Sequence, residues 1–263
     1  MSVLLFCLIA AADAQTLRVD LAVEAVVRKR LESGLVSTKE RQEVITQLFR
    51  DAGCEPEIQL IDKTNGNVIC TLPGETPATV VVGAHHDFIP RGRGIVDDWS
   101  GTALLPSLYQ ALKAQPRHRT FRFVAFASEE RGLLGSRHFV KKLSDEERKS
   151  IRAFVNLECL GLTPVKVWAR RSDPQLMEWL DQLARLMTIP MTGMNVDKVG
   201  DDDTHPFLFA RIPVVSIHSI SQQTYPILHT GRDRLDAVNM QDYYAAFRLV
   251  AYYLAYLDLK VSE

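Results

Sequence analysis

The chain has 263 residues, which is enough for one large α/β domain or two small ones. Hydrophobic residues make up 46% of the sequence and charged residues 24%, the mix of a packed globular protein. The formal net charge of -1 excludes an overall field that would draw the protein to nucleic acid or to anionic lipid. We therefore predict no nucleic-acid partner.

The start of the chain differs from the rest. An apolar run extends from Val3 to Ala12, and Ala12-Asp13-Ala14 then places small residues two apart. This pattern is typical of a secretory signal peptide at residues 1–14, and the alternative is a buried first helix. The run is too short to span a bilayer as a helix. We predict a secreted or periplasmic protein with no membrane span and a single domain over residues 15–263.

The next segment predicts two helices and a hairpin. Apolar residues lie at helical spacing first, and Ser37 with Glu40 forms a capping box for the second helix. Asn65-Gly66 is a tight-turn signal between two strands, with Cys54 and Cys70 on either side of the hairpin. The sequence leaves open whether these cysteines are bonded. The predicted elements are helices over 17–31 and 37–52 and strands over 58–61 and 68–72.

Uninterrupted apolar runs alternate with helical patterns through the remainder. Such runs are typical of strands that are buried on both faces. Their alternation with helices predicts a single α/β domain, a three-layer sandwich with a mostly parallel mixed sheet and helices on both faces. The hairpin would add antiparallel edge strands. The predicted strands are 79–84, 121–127, 153–157 and 214–217, and the predicted helices are 100–113, 133–143, 174–187 and 240–257.

Polar residues follow three of these strands directly. His85-His86-Asp87 comes after the first apolar run, Ser128-Glu129-Glu130 after the second, and Glu158 after the third. In open α/β sheets, ligands bind just outside the carboxyl ends of the strands. The sequence therefore predicts that three strands deliver imidazole and carboxylate groups to one edge of the sheet.

The alternation of side chains along a strand places His85 and Asp87 on one side and His86 on the other. Asp87 is thus positioned to accept the second ring N–H of a metal-binding His85. Asp97 lies just before the helix that Ser100-Gly101 opens. Each of these residues alone also fits an ordinary buried histidine or an acidic helix cap, but together they indicate a cation site.

The chain resembles the zinc-dependent aminopeptidases of the bacterial leucyl-aminopeptidase type, whose relatives include glutamate carboxypeptidases and glutaminyl cyclases. The blocks that carry the resemblance occur in the family's order between about residues 65 and 240. They are Gly83-Ala84-His85-His86-Asp87, Asp97-Asp98-Trp99-Ser100-Gly101, Glu129-Glu130-Arg131-Gly132-Leu133-Leu134-Gly135-Ser136, Asn156-Leu157-Glu158, His205-Pro206-Phe207 and His229-Thr230.

This resemblance implies a zinc-peptidase, phosphorylase/hydrolase-like fold that binds two zinc ions and cleaves the N-terminal peptide bond of peptides with a free amino terminus. Asp97 would bridge the ions, His85 with Glu158 would complete the ligands of one, and Glu130 with His229 those of the other. Glu129 would be the general base toward a water held between the ions, and Asp87 would orient His85. The peptide bond between Asp97 and Asp98 would be cis.

Three positions depart from the family's usual pattern. Glu158 stands where Asp is usual, Leu228 where many members have Tyr, and Phe88 where Ser is frequent. Tyr225 is close to Leu228 in sequence and could supply the missing hydroxyl. The resemblance also puts His205 near the substrate, so His205 and Tyr225 are the candidate substrate contacts.

Two alternatives remain open. A single-zinc glutaminyl cyclase would convert an N-terminal glutamine to pyroglutamate, and the altered Glu158 leaves room for it. A peptidase-like binding domain without catalysis would have lost several ligands, whereas every expected position here has a side chain able to bind a metal. The sequence gives neither the side-chain preference nor the oligomeric state.

Overall fold

The computed structural model describes residues 3–6, 16–197 and 200–261. Most of the predicted signal peptide lies outside this part of the chain. Its residues Val3–Phe6 form strand β1, which pairs antiparallel with β2, Thr16–Val19. Among the described residues, none of the helices combines the length and the apolar character needed to cross a membrane.

An eight-stranded mixed sheet forms the centre of the molecule. Its strand order is β3-β4-β6-β5-β7-β10-β8-β9, and the four strands β6, β5, β7 and β10 run parallel to one another. The hairpin β3–β4 adds antiparallel strands at one edge, as predicted. The strands are β3 Glu57–Leu60, β4 Gly66–Leu72, β5 Thr79–His85, β6 Thr120–Phe126, β7 Ile151–Glu158, β8 Val165–Val167, β9 Met191–Gly193 and β10 Val214–His218.

Helices cover both faces of the sheet because its strands are apolar on both faces. In β5, Val80 and Val82 belong to one buried cluster, and Val81 belongs to another. The first cluster includes residues of α1, α2, α3, α6 and α8, and the second includes Phe139 of α4 and Phe207 of α7. The three-layer α/β prediction is confirmed. The helices are α1 Glu24–Glu32, α2 Thr38–Asp51, α3 Ser100–Lys113, α4 Leu134–Lys142, α5 Asp145–Ser150, α6 Pro174–Leu186, α7 Thr204–Phe209 and α8 Met240–Lys260.

The predicted helix over 17–31 is wrong in its first part. Residues Thr16–Val19 form a strand, and the helix begins only at Glu24. Leu17 and Val19 are buried while Arg18 between them is exposed, which is the period-two burial of a strand. Four residues are too few to distinguish this alternation from helical spacing in the sequence alone.

Cys54 and Cys70 form a disulfide that joins the chain after α2 to strand β4 across 16 residues. Replacing both cysteines by alanine is expected to lower the free energy of unfolding by about 3 kcal/mol, because the unfolded chain gains conformational freedom. Urea unfolding of the two proteins measures this difference. Added reductant should lower the stability of the parent chain and leave that of the double variant unchanged; equal stability of the two proteins in oxidising buffer contradicts the prediction.

Candidate active site

Three adjacent strands bring the predicted residues to one edge of the sheet. His85 is the last residue of β5 and Glu158 the last of β7, while Glu129 and Glu130 follow β6 after the left-handed residue Ser128. Since β6, β5 and β7 are neighbours and parallel, their carboxyl ends lie side by side. Asp97 and His229 reach the same place from two loops.

Asp97 lies at the centre of this group. Its Oδ1 is 3.1 Å from Nε2 of His85, and its Oδ2 is 2.9 Å from Nε2 of His229. Glu158 Oε1 is 3.6 Å from His85 Nε2, and Glu130 Oε2 is 3.3 Å from His229 Nε2. The two imidazoles therefore face opposite oxygens of one carboxylate, each with a second carboxylate beside it.

These side chains form two sets of donor atoms that could each hold a metal ion. His85, Asp97 and Glu158 make one set, and Asp97, Glu130 and His229 make the other, with all donor atoms of a set within 4.8 Å of one another. Imidazole nitrogens and carboxylate oxygens are common zinc ligands. Oε1 of Glu130 is also buried without a hydrogen-bond partner among the described residues. The donors fit a divalent cation in each set.

Asp87 contacts both His85 and the segment that carries the glutamates. The Nδ1 of His85 is 3.1 Å from the backbone oxygen of Asp87 and 3.5 Å from its carboxylate. The carboxylate accepts hydrogen bonds from the backbone N–H groups of Glu129 at 2.9 Å and Glu130 at 3.2 Å. Asp87 therefore contacts the ring of His85 and fixes the backbone of the two glutamates; its role in orienting His85 stays a prediction.

Buried acids hold the loop on which Asp97 lies. The peptide bond between Asp97 and Asp98 is cis, as the resemblance implies. Asp98 is fully buried and accepts N–H groups of His85, Gly101 and Cys159, so it links three of the segments that form the site. Asp233 accepts the N–H of Val96 at 2.7 Å.

Arg41 of α2 also stabilises the segment that leads to Asp97. Its fully buried guanidinium donates to the backbone oxygens of Gly34, His86, Arg93 and Gly94. It also stacks on Phe88, 4.2 Å from the ring centroid, and lies 5.1 Å from the ring centroid of Trp99. Phe88, for which the sequence suggests no role, thus covers a buried cation.

The pKa values of the site reflect buried and crowded carboxylates. Burial raises the pKa of Glu129 to about 10, with Asp203 and Glu158 adding to the shift and His85 opposing it. Hydrogen bonds to Asp97 and Glu130 raise the pKa of His229 to about 10. Burial would raise the pKa of Asp97, but the hydrogen bonds from both histidines outweigh it and lower that pKa. A bound cation opposes the shifts of Glu129 and His229, because it favours ionised carboxylates and neutral imidazoles.

The site opens into a cavity of about 650 Å³. Trp168, Val196, Ile220 and Leu228 form an apolar part of its wall and belong to one buried cluster. Tyr225 also lines the cavity, as expected of a substrate contact.

His205 does not itself line the cavity among the described residues. It is half-exposed and pairs through Nδ1 at 2.6 Å with Asp201, which does line the cavity. Its role as a substrate contact stays a prediction.

Two acids that the sequence reasoning did not single out are buried beside the site. Asp202 accepts hydrogen bonds from Ser216 at 2.6 Å and from Asn156 at 3.3 Å. Asp203 is fully buried, and burial raises its pKa to about 8. The run of three aspartates in Gly200-Asp201-Asp202-Asp203 is the signal that could have identified them.

Two imidazole–carboxylate donor sets at the carboxyl edge of an α/β sheet define a candidate metalloenzyme site. Residues 67–254 match the model of peptidase family M28, and the chain belongs to that family. It is similar to the aminopeptidase YwaD of Bacillus subtilis, 28% identical over 176 residues, which are 63% of this chain and 38% of YwaD. It is 40% identical over 97 residues to an aminopeptidase of Pseudomonas aeruginosa, covering 36% of this chain and 18% of the relative.

Solved structures agree in fold. BSAP, a zinc aminopeptidase from Bacillus subtilis, superposes with a TM-score of 0.65 at 27% identity over 72% of this chain and 49% of BSAP. A glutaminyl cyclase from an Acidobacteriales bacterium superposes with a TM-score of 0.76 at 20% identity, over 96% of this chain and 100% of the cyclase. The chain thus spans about half the length of BSAP and less than half the length of the two curated relatives. The likeness to the cyclase concerns the fold alone.

Proposed function

We propose that the protein is a metallo-aminopeptidase that hydrolyses the N-terminal peptide bond of peptides at a two-zinc site. The observation that carries the proposal is the pair of donor sets that share Asp97. His85 and Glu158 would hold one zinc ion together with Asp97, and Glu130 and His229 would hold the other. Bound zinc would supply the Lewis acidity that lowers the pKa of water and polarises a carbonyl.

Glu129 is the proposed general base. It belongs to neither donor set, yet its Oε2 is 3.8 Å from Nε2 of His85 and its carboxylate is largely buried. Asp87 accepts the backbone N–H of Glu129 and that of the following Glu130, which fixes the backbone of Glu129 next to the set that contains His85. Glu129 would take a proton from the attacking water and deliver it to the leaving amine.

The cavity would receive the N-terminal residue of a peptide. One of the two cations would hold the free amino group, which restricts cleavage to the N-terminal residue. Asp201 and Asp202, which also line the cavity, are paired with Arg171, and the apolar wall around Trp168 suits an uncharged first side chain. We also propose that the protein is exported, as its signal-peptide pattern predicts. The disulfide between Cys54 and Cys70 supports this proposal, since such bonds persist in oxidising compartments.

A single-zinc glutaminyl cyclase is the second candidate, favoured by the superposition over nearly the whole of both chains. The two candidates differ in metal content and in product. We would measure zinc per chain and the release of amino acid from a panel of aminoacyl-4-nitroanilides, before and after chelation. About two zinc ions and chelator-sensitive release support the aminopeptidase. Ammonia released from a peptide with N-terminal Gln, without free amino acid, supports the cyclase, and a metal-free inert protein supports a binding domain.

Replacing Glu158 by aspartate is expected to leave zinc content unchanged and kcat/KM within about tenfold, a difference of about 1.4 kcal/mol in barrier. Either carboxylate can bind zinc, so only the reach of the ligand changes. The matched variant Glu158→Gln keeps the length of the side chain but loses its charge, and its zinc content should fall. Metal analysis and steady-state kinetics of both variants test the role; a full metal complement in Glu158→Gln would remove this residue from the donor set.

A further inference from the structure

A second cavity, of about 490 Å³, lies at the opposite end of the sheet from the candidate active site. Its lining includes Ile151, the first residue of β7, whereas Glu158 of the active site is the last. Seven steps along a strand separate these residues by about 23 Å. The second cavity is therefore a separate site, formed by the amino ends of β7 and β10 with the start of α6 and the end of α8.

The lining of this cavity is strongly basic although the whole chain is balanced, with 31 basic and 32 acidic residues. Asp173 is the single carboxylate among the described lining residues, and one of its oxygens already accepts the N–H groups of Gln175 and Leu176 as the cap of α6. The cationic side chains that line the cavity are Arg148, Lys149, Arg152, Arg211 and Lys260.

Among the described residues, most of these cations have no anionic partner. Arg148 pairs with Asp145. Within the described ranges, no carboxylate forms an ion pair with the other four cations, and the buried Nε of Arg152 has no acceptor at all. A buried donor without an acceptor is unfavourable, and several cations facing one space repel one another. An anion in the cavity would relieve the repulsion between the cations.

The floor and one wall of the cavity are apolar. Ile151, Leu176 and Ile212 are buried and form the floor. Trp179 is partly exposed, lines the same space, and is held in an edge-on contact with Tyr256 at 6.1 Å between ring centroids. An indole fixed in this way offers a surface on which a flat ring can pack.

We propose that this cavity is a binding site for a phosphate monoester that carries an aromatic group. The phosphate, a dianion with three acceptor oxygens, would lie among Lys149, Arg152 and Arg211. The guanidinium groups of the two arginines match phosphate oxygens in a two-pronged geometry, and the ammonium group of Lys149 adds a third positive charge. The aromatic group would lie on the apolar floor against Trp179. The volume of the cavity is in the usual range for small-molecule sites.

The test is isothermal titration of phenyl phosphate into the zinc-loaded protein and three variants. Arg152→Gln and Arg211→Gly each remove one cation, and each should weaken binding by about fivefold. Arg211 adopts a φ of 61°, a conformation that glycine takes without strain, so Arg211→Gly should remain folded. Arg28→Gln removes an exposed arginine of α1 that is not among the described lining residues, and this variant should bind like the parent protein.

Equal affinity in all four proteins would overturn the proposal, since the ligand would then be bound at the metal ions or elsewhere. No measurable binding to the parent protein would overturn it as well. Vesicles with and without phosphatidylglycerol provide a second arm. In one outcome, phenyl phosphate does not bind, but vesicles with phosphatidylglycerol bind the parent protein and bind the Arg152 and Arg211 variants less. This outcome would reject the free ester and identify the phosphate as that of a lipid headgroup.

Discussion

Glu129→Gln is expected to lower kcat by about 10²- to 10⁴-fold while leaving zinc content unchanged. The amide has nearly the shape of the carboxylate but cannot take a proton from water at neutral pH. Because Glu129 belongs to neither donor set, its replacement removes no proposed metal ligand. Zinc analysis together with turnover of an aminoacyl-4-nitroanilide measures both quantities.

The matched control for this prediction is Glu43→Gln, which makes the same chemical change at an exposed position of α2. It should retain parental kcat and zinc content. If Glu129→Gln keeps full turnover, Glu129 is not the base. If it loses zinc along with activity, the residue acts as a ligand, and the proposed division between the base and the donor sets is wrong.

Asp97→Asn is expected to lower both zinc content and activity further than any other single change at the site. The two oxygens of Asp97 face His85 and His229 separately, so the change weakens both donor sets at once. We expect zinc to fall from about two ions per chain to below one, and kcat/KM to fall about a thousandfold, since each cation supplies several kcal/mol of transition-state stabilisation.

His229→Ala is the comparison that makes this result interpretable. His229 belongs to only one donor set, so this variant should keep about one zinc ion per chain. Circular dichroism spectra of both variants show whether the fold is retained. Equal zinc loss in Asp97→Asn and His229→Ala would contradict a shared ligand, and a full complement in Asp97→Asn would exclude Asp97 from metal binding.

Much of the sheet and the central residues of the site could be predicted from the sequence. The strands of the parallel core are uninterrupted apolar runs. Such runs can be recognised in the sequence without knowing which strands lie next to one another. Their ends carry His85, Glu129 and Glu158, and the topology of an α/β sheet then requires these side chains to converge. The resemblance to a family added His229, whose loop has no comparable local signal, and it added the bridging role of Asp97.

Other features depend on tertiary contacts that local patterns do not encode. The short strands β8 and β9 have three residues each, too few for a periodic signal. In the sequence, Arg41 is one polar residue of an amphipathic helix, and only the folded structure shows its fully buried contacts. The bond between Cys54 and Cys70 likewise depends on how close the end of α2 comes to β4.

Arg41 also determines where a minimal catalytic fragment can begin. The family match starts at residue 67, and Arg41 lies upstream of it. Arg41 donates hydrogen bonds to the backbone oxygens of His86, Arg93 and Gly94, which lie in the segment that leads to Asp97. A fragment trimmed to the matched range would leave these oxygens without their donor and Phe88 without its stacking partner. Shortened forms of this protein should therefore retain α2 together with the segment that matches the family.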